Sequence, residues 1–413
     1  MHVTIQRPAR RAWTLVSVLA VFGVIVSSTV ASADTIGASS DHRIAIAPQS
    51  VSQAGEDCAS LRRSADQVGT VACLISPESL PGQAQRREEL QRQLSAPAAV
   101  VCTAKDQLFF NRTESCLFEE VAYRLIDLQT GKEVGFADMA VKSLVTLDTR
   151  TRTWTQRINA TVMIAEGAAK LGTAGFATAT CSSGCTATNS AIRTLPYRVP
   201  VDFDYQVTSA GSNLDQLKIT PSFTFQSITP AVWGPIREEI GSAVDVRCDS
   251  TPTVGPNTGG CVYAQFTPTY DVSTLNNDTA QVAWHIQWAQ RNLTGKWGRK
   301  GFGPELTRTM DATVITANRN AACPASIPRP TGKSCDEYPF ASTYQGGSLN
   351  PDHSCYMVPA TQNSLEGSRY RRPWYAANRV LDKDKFWVNV VLPAGITEQE
   401  LAAKTREFVK CPG

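Results

Sequence analysis

The chain has 413 residues, of which 42% are hydrophobic and 19% are charged. This length predicts two or three domains, and this composition supplies enough apolar side chains for packed cores, which excludes a globally disordered chain. The net charge is +3; without Arg7, Arg10 and Arg11 the 40 basic residues fall to 37 and equal the 37 acidic residues. Overall charge therefore does not indicate a nucleic-acid binder, and any polyanion contact must come from a local patch.

The first 33 residues have the three parts of an export signal. The N-terminal arginines form a charged start, Leu15–Val30 is a nearly continuous apolar run, and Ala31–Ala33 supplies small residues for cleavage. We expect a signal peptide at residues 1–33, cleaved near Ala33, and a secreted mature protein without a membrane segment. The alternative is a membrane anchor, which the serines within the short apolar run disfavour.

The 12 cysteines all follow this segment. An even number in an exported chain predicts a disulfide framework. A zinc site is the alternative, but the sequence has no C-x2-C pair and no histidines at ligand spacing. The pairing cannot be derived from sequence, and the expectation of short closed loops gives four pairs: Cys58–Cys73, Cys102–Cys116, Cys181–Cys185 and Cys248–Cys261.

Residues 34–100 are polar and rich in Ala, Ser and Gln. Within them, Gln83–Leu94 favours a helix by propensity, and Pro97 ends it. This region is a helical arm, a linker or a prosegment, and the sequence does not decide between them.

Residues 101–320 have the period-two pattern of β-strands. Val121–Ile126 and Glu133–Phe136 flank Thr130-Gly131-Lys132, which predicts a hairpin. Tyr197–Val207 alternates apolar and polar residues. We expect an antiparallel β-sandwich-like module of unknown role.

The same alternation occurs at Val282, Trp284, Ile286 and Trp288, which predicts another strand. Its two tryptophans then belong to a sheet core or, alternatively, to a carbohydrate platform. Residues 289–301 place four basic side chains around a tryptophan. This segment is either a contact to a nucleic-acid backbone or a solvated hairpin turn.

A last domain is expected at residues 321–413, after a proline-rich lead-in. Asp336 and Glu337 are adjacent carboxylates, and Pro339 places them at the end or edge of a strand, where neighbouring side chains point to opposite faces. Cys355–Val358 predicts a second strand. A carboxylate and the Asn363 amide oxygen are hard ligands suited to Mg²⁺, Mn²⁺ or Ca²⁺.

A helix is expected from Ser364 to Val380, so the local order is strand, strand, helix. It carries three arginines among aromatic residues, a pattern suited to a polyanion: Arg369, Arg371 and Arg372 with Tyr370, Trp374 and Tyr375. Judged by residue type alone, the alternatives stay open: a salt-bridged strand edge for the acidic pair, a helix cap for Asn363 and a solvated face for the arginines.

This segment resembles the NucA/NucB family of secreted bacterial deoxyribonucleases, over about the last fifth of the chain. The resemblance rests on an Asp-Glu-aromatic-Pro core, a Gly-Gly pair, an Asn-x-x-x-Gly element and an Asp before a closing aromatic strand. In this sequence these elements are Cys335–Thr343, Gly346-Gly347, Asn363 with Gly367, and Asp382 with Phe386–Val388.

The resemblance implies a small ββα-metal-type nuclease domain in which an aspartate replaces the usual histidine base. It implies that Asp336 is the general base and that Asn363 is a metal ligand. We expect Glu337 to be a second catalytic carboxylate. Metal binding falls to Asn363 and Glu366, with Mg²⁺ or Mn²⁺ as the expected ion and Ca²⁺ as an alternative. Contacts to the DNA substrate are expected from four side chains: Gln345, Arg369, Arg371 and Arg372.

The sequence departs from the family pattern at two positions. Gln345 stands where members often have Glu before the Gly pair, and Gln362 stands where some have Asp before the Asn.

From the resemblance and the residue patterns together, we expect an α+β, multidomain, metal-dependent and sequence-nonspecific endodeoxyribonuclease that needs no protein partner. The alternative function is a secreted β-rich binding or cell-surface protein with a catalytically inactive nuclease-like domain.

Overall fold

The computed structural model describes residues 44–46, 69–81, 102, 104–229, 233–241, 244–255 and 258–408. The expected signal peptide, the helix at Gln83–Leu94 and Cys58 lie outside these residues. The described chain is rich in β-strands and has few helices. None of its helices combines the length and the apolar character needed to cross a lipid bilayer.

The N-terminal region is built from antiparallel strands. The largest sheet has the order β1-β3-β4-β5-β6-β10-β8, with β2 also paired to β4; a second sheet has the order β13-β12-β7-β9 and a third β11-β14-β15. The strands are β1 (Ile44–Ile46), β2 (Thr70–Ile75), β3 (Leu108–Phe110), β4 (Glu114–Asp127), β5 (Glu133–Thr146), β6 (Thr153–Gly167), β7 (Thr173–Cys181), β8 (Cys185–Ala187), β9 (Arg193–Leu195), β10 (Val201–Ser209), β11 (Asp215–Leu217), β12 (Ile219–Ser227), β13 (Ile236–Glu239), β14 (Val246–Asp249) and β15 (Gly260–Val262).

The predicted hairpin is confirmed as β4 and β5, whose connecting turn contains Gly131 at φ 65°. Alternation also holds in β10, where Phe203, Tyr205 and Val207 are buried. Their side chains join a single apolar cluster that draws on several sheets. In that cluster the rings of Phe203 and Phe223 lie 5.0 Å apart, so β10 and β12 share one core.

The C-terminal region mixes strands and helices. Its elements are β16 (Thr269–Ser273), α1 (Ala280–Asn292), β17 (Leu306–Thr307), α2 (Ala312–Ala322), β18 (Lys333–Tyr338), β19 (Ser354–Pro359), α3 (Ala360–Leu365), a π-helix (Glu366–Arg371), α4 (Arg372–Ala377), β20 (Lys385–Val391) and α5 (Glu398–Thr405). Strand β20 pairs in parallel with β16 and antiparallel with β17, while β18 and β19 form a separate hairpin.

The core of this region includes residues well before position 321. Tyr270, Val272 and Ile286 pack in one apolar cluster with Tyr338, Phe386 and other C-terminal side chains. Strand β16 and helix α1 therefore belong to the same packed unit as the hairpin β18–β19.

The predicted strand at Val282–Trp288 is wrong, because these residues lie in helix α1. Residues four apart share a helical face, so Val282 with Ile286 and Trp284 with Trp288 fit two faces of a helix as well as one face of a strand. Val282 and Ile286 are fully buried, and Trp284 packs against Leu401 and Phe408. The two tryptophans therefore form neither a sheet core nor a strand-based carbohydrate platform.

Three of the four expected disulfides are confirmed: Cys102–Cys116, Cys181–Cys185 and Cys248–Cys261. A further disulfide joins Cys323, just after α2, to Cys335 in β18. The described residues include no free cysteine.

A buried ionic junction connects the two regions of the chain. The loop between α4 and β20 provides Arg379 and Asp384, and the β module provides Arg112, Arg247 and Asp249. Asp384 accepts hydrogen bonds from Arg112 at 3.0 Å and Arg247 at 2.5 Å, and Arg379 Nε donates to Asp249 Oδ2 at 2.7 Å. Burial alone would raise the pKa of Asp249, but the hydrogen bonds from Arg379 lower it below its ordinary value.

This junction predicts a large loss of stability when one partner is neutralised. Asp249→Asn leaves the fully buried Arg379 without its counter-charge, which costs about 3–5 kcal/mol. Asp204→Asn is the matched control, because its partner Arg157 is 43% exposed and such pairs contribute at most about 1 kcal/mol. Urea unfolding of the two variants measures the difference. Equal, small losses would show that the junction does not contribute to stability.

Candidate active site

Strands β18 and β19 lie where two strands were expected, and the expected helix Ser364–Val380 is instead α3, the π-helix and α4, which together cover residues 360–377. Asp336 and Glu337 are at the end of β18, and Pro339 follows the strand through a cis Tyr338–Pro339 bond. Since neighbouring residues on a strand alternate in direction, the two carboxylates leave the hairpin on opposite faces.

The side chain of Asp336 meets a buried histidine from α1. Its Oδ2 lies 2.6 Å from Nδ1 of His285, and Nε2 of His285 lies 2.5 Å from Oγ of Ser354 in β19. His285 and Ser354 are fully buried, and the Asp336 side chain is 7% exposed. No residue among the described ones donates a hydrogen bond to the other oxygen of Asp336. The sequence has no histidine next to Asp336, and the fold supplies one from a distant helix.

Glu337 lies on the other face, beside the disulfide of Cys323. Its Oε2 is 3.8 Å from the Cys323 sulfur. Burial, with a further contribution from the charge of Asp336, raises the pKa of Glu337 to about 7. A carboxyl with this pKa can either give up or accept a proton near neutral pH, which is a property of catalytic acids and bases.

A third carboxylate, Glu366, is fully buried at the start of the π-helix. Its Oε1 accepts hydrogen bonds from Arg371 at 3.0 Å and from Tyr270 at 3.1 Å. Burial raises the pKa of Glu366, and the charge of Asp336 adds to the rise while Arg371 opposes it. A π-helical turn is rare, and such turns are frequent at functional sites.

The three arginines of the predicted patch are in different environments. Arg371 stacks on the Phe340 ring at 3.9 Å and donates to Ser342 Oγ at 3.1 Å, so it is an internal counter-charge and does not lie on an open surface. Burial alone would lower its pKa, but Glu366 raises it above the ordinary value. Arg369 and Arg372 are exposed, and Arg369 lies 3.6 Å from Asp278.

The two residues expected to bind metal differ in whether their side-chain oxygens are already engaged by hydrogen-bond donors. The Asn363 side chain donates from Nδ2 to Ser334 Oγ at 3.0 Å and to the Cys335 carbonyl at 2.9 Å, which holds it beside β18 and leaves its oxygen for a ligand. Glu366 is satisfied by Arg371 and Tyr270, so the structure does not suit it to a cation. The described residues include no group of three or more His, Cys, Asp or Glu side chains that could hold a metal ion.

Residues 300–389 match the family model Deoxyribonuclease NucA/NucB. The C-terminal part of the chain carries a NucA/NucB deoxyribonuclease domain. No curated protein matches the chain. The matched segment contains Asp336, Glu337 and Asn363, but it begins after α1 and β16, which supply His285 and Tyr270 to the same site.

Two glutamines where the NucA/NucB pattern often has acids make backbone contacts in this fold. Gln345, expected to contact substrate, accepts from the Thr307 amide at 2.9 Å and so holds β17. Gln362 accepts from the Gln281 amide at 2.8 Å, at the start of α1. Gln345 therefore holds a strand of the matched domain, and Gln362 joins that domain to helix α1, which precedes it.

The Gly-Gly pair of the domain has a packing reason that the sequence alone did not reveal. Helix α2 approaches so closely that a Cβ on Gly346 would lie 2.3 Å from the Asn318 amide nitrogen. That amide donates to the carbonyls of Ala341 and Thr343, and its oxygen accepts from Ser348. Asn318 thus fixes the loop that follows the acidic pair.

The raised pKa of Glu337 predicts a pH-dependent stability. In EDTA, the folded carboxyl ionises near pH 7 and the unfolded one near 4.5. Its stabilising effect is thus complete below pH 4.5 and is lost as the pH rises to about 7, on the order of 3 kcal/mol in all. Glu337→Gln cannot ionise and should lack this fall.

Urea unfolding of both proteins at a series of pH values measures the effect. Mg²⁺ favours the carboxylate and should reduce the difference above neutral pH. Parallel pH curves for wild type and Glu337→Gln would contradict the shifted pKa.

Proposed function

We propose that the protein is a secreted, metal-dependent endodeoxyribonuclease that hydrolyses phosphodiester bonds of extracellular DNA without sequence preference. The observation that carries this proposal is the adjacent pair of the buried Asp336 and the half-buried Glu337 at the end of β18, inside the NucA/NucB match and beside the helix that bears Asn363. The disulfides support an oxidising compartment, which agrees with secretion.

Asp336 is proposed as the general base. One of its oxygens is held by His285, and the other is left to accept a proton from the attacking water. A base must lie within hydrogen-bonding reach of the proton that it removes, and a carboxylate held at one oxygen keeps a defined direction for the other. The neighbouring Glu337 adds a second carboxyl group to the site, and the pKa of this group is about 7.

We assign the proposed cation to the Asn363 amide oxygen, which its two donated hydrogen bonds leave for a ligand, with the Glu337 carboxylate as the proposed second donor. Mg²⁺ commonly keeps several waters and binds through only one or two carboxylates together with substrate phosphate, so the small donor set fits Mg²⁺ or Mn²⁺. When bound, such a cation supplies charge stabilisation to the scissile phosphate and the leaving oxygen. Hairpin and helix together make the ββα-metal arrangement the proposed class of this domain.

The exposed arginines Arg369 and Arg372 are proposed to contact the DNA backbone. They lie on and just after the π-helix that begins at Glu366, so both arginines are close in sequence to one of the buried carboxylates. Arginine binds phosphate oxygens through paired hydrogen bonds, without reading sequence.

The β module is proposed to be a sandwich-like support for the nuclease unit. We place the start of that unit near Thr269, where β16 begins, and not at residue 321. The junction of Arg112, Arg247 and Asp384 holds the loop before β20, so the support acts on the nuclease unit directly.

The proposed function is tested by plasmid nicking with Mg²⁺ or Mn²⁺. We expect cleavage that EDTA abolishes and that Asp336→Asn reduces at least about 10²-fold without unfolding. Asp271→Asn, an exposed aspartate bonded to Asn389, is the control and should cleave normally. A folded wild type without activity would favour the binding or cell-surface alternative, and an active Asp336→Asn would remove Asp336 from the mechanism.

The proposed DNA contact is tested by the salt dependence of binding, measured in the Asp336→Asn background. Neutralising Arg369 and Arg372 to Gln removes two phosphate contacts and should reduce the slope of log K against log salt by about 1.8. The same change at Arg193 and Arg198, exposed in the β module, is the control. An unchanged slope in the first pair would place the DNA elsewhere.

A further inference from the structure

His285 connects two strands of the hairpin from outside the matched domain. Its ring is fully buried, and both of its nitrogens have a partner: Asp336 at Nδ1 and Ser354 at Nε2. The ring is also stacked on Phe408, with centroids 5.6 Å apart, and lies 6.2 Å from the Tyr356 ring. Such a ring has little freedom to rotate.

The partners decide which nitrogen carries the proton. An ionised Asp336 only accepts hydrogen bonds, so Nδ1 must donate to it. Nε2 then accepts from the Ser354 hydroxyl, which can donate. The opposite tautomer would need a protonated Asp336, and a protonated carboxyl cannot serve as a base. Of the two neutral tautomers, only the Nδ1–H form fits an ionised Asp336, and in the doubly protonated ring Nδ1 donates to Asp336 as well.

We propose that His285 is a positioning residue for DNA hydrolysis: it donates from Nδ1 to Asp336 and holds that carboxylate in the direction needed to receive the proton of the attacking water. The proposal rests on the proposed nuclease function. His285 itself does not touch the substrate, since its ring is buried and both nitrogens are occupied. Ser354 contributes by fixing the tautomer.

Two amide substitutions separate the two bonds of the ring. The Asn side-chain nitrogen takes the place of Nδ1, so His285→Asn retains the donor to Asp336 and loses the contact to Ser354. The Gln nitrogen takes the place of Nε2, so His285→Gln retains the contact to Ser354 and loses the donor to Asp336. Both variants are neutral, polar and smaller than or similar to the imidazole ring.

The full chain is assayed on plasmid DNA with Mg²⁺ for kcat and KM. We expect His285→Gln to lose at least about 10²-fold in kcat with little change in KM, and His285→Asn to stay within about tenfold of wild type. A purely structural role predicts that both variants lose activity in proportion to their lost stability, which urea unfolding measures separately. Equal kcat values for the two folded variants would overturn the positioning role.

A second readout does not depend on cleavage. ¹⁵N NMR of the histidine rings should show a protonated Nδ1 and an unprotonated Nε2 at His285, and Ser354→Ala should weaken that preference. An unprotonated Nδ1 would overturn the proposal even if the enzyme is active. A wild-type protein that cleaves DNA while His285→Gln cleaves equally well refutes the inference alone, whereas an inactive, folded wild type refutes the nuclease proposal on which it rests.

Discussion

Negative charge enclosed at the end of β18 is the constraint on which the site depends. The charge of Asp336 adds to the burial that raises the pKa of both Glu337 and Glu366, and Arg371 forms an ion pair with Glu366. Buried charge is costly unless it is paired and hydrogen-bonded. Three features reduce this cost. His285 hydrogen-bonds to Asp336, Arg371 forms an ion pair with Glu366, and Glu337 keeps its proton up to about pH 7. The proposed divalent cation would supply further positive charge to this group.

This constraint explains why the functional unit extends beyond the segment that matches the family. Helix α1 and strand β16 lie before residue 300, yet they supply His285 and Tyr270, which hold two of the three carboxylates. The β module contacts this unit through Arg247 and Asp249, which bind Asp384 and Arg379 of the loop before β20. The matched segment thus provides the acidic residues, α1 and β16 provide side chains that hold them, and the β module provides the ionic junction.

The sequence predicted the parts of the site that are local. The acidic pair, the hairpin, the following helix and the NucA/NucB family all follow from a continuous stretch of residues and a recognisable motif. His285 was missed because it is 51 residues from Asp336, and no local pattern links the two. Helix α1 was predicted as a strand because a run of alternating apolar residues also contains apolar pairs four residues apart, and a short run therefore fits both periods. Arg371 was assigned to a surface patch because residue type does not reveal which of three arginines turns inward.

In the proposed cation site, Glu337 gives up a proton when a divalent cation binds. Isothermal titration of Mn²⁺ into the full chain at pH 7, in two buffers with different ionisation enthalpies, counts the protons released on binding. Because the pKa of Glu337 is about 7, we expect one bound ion and release of roughly half a proton, with the release absent in Glu337→Gln. Binding without proton release, or equal release from both proteins, would contradict it.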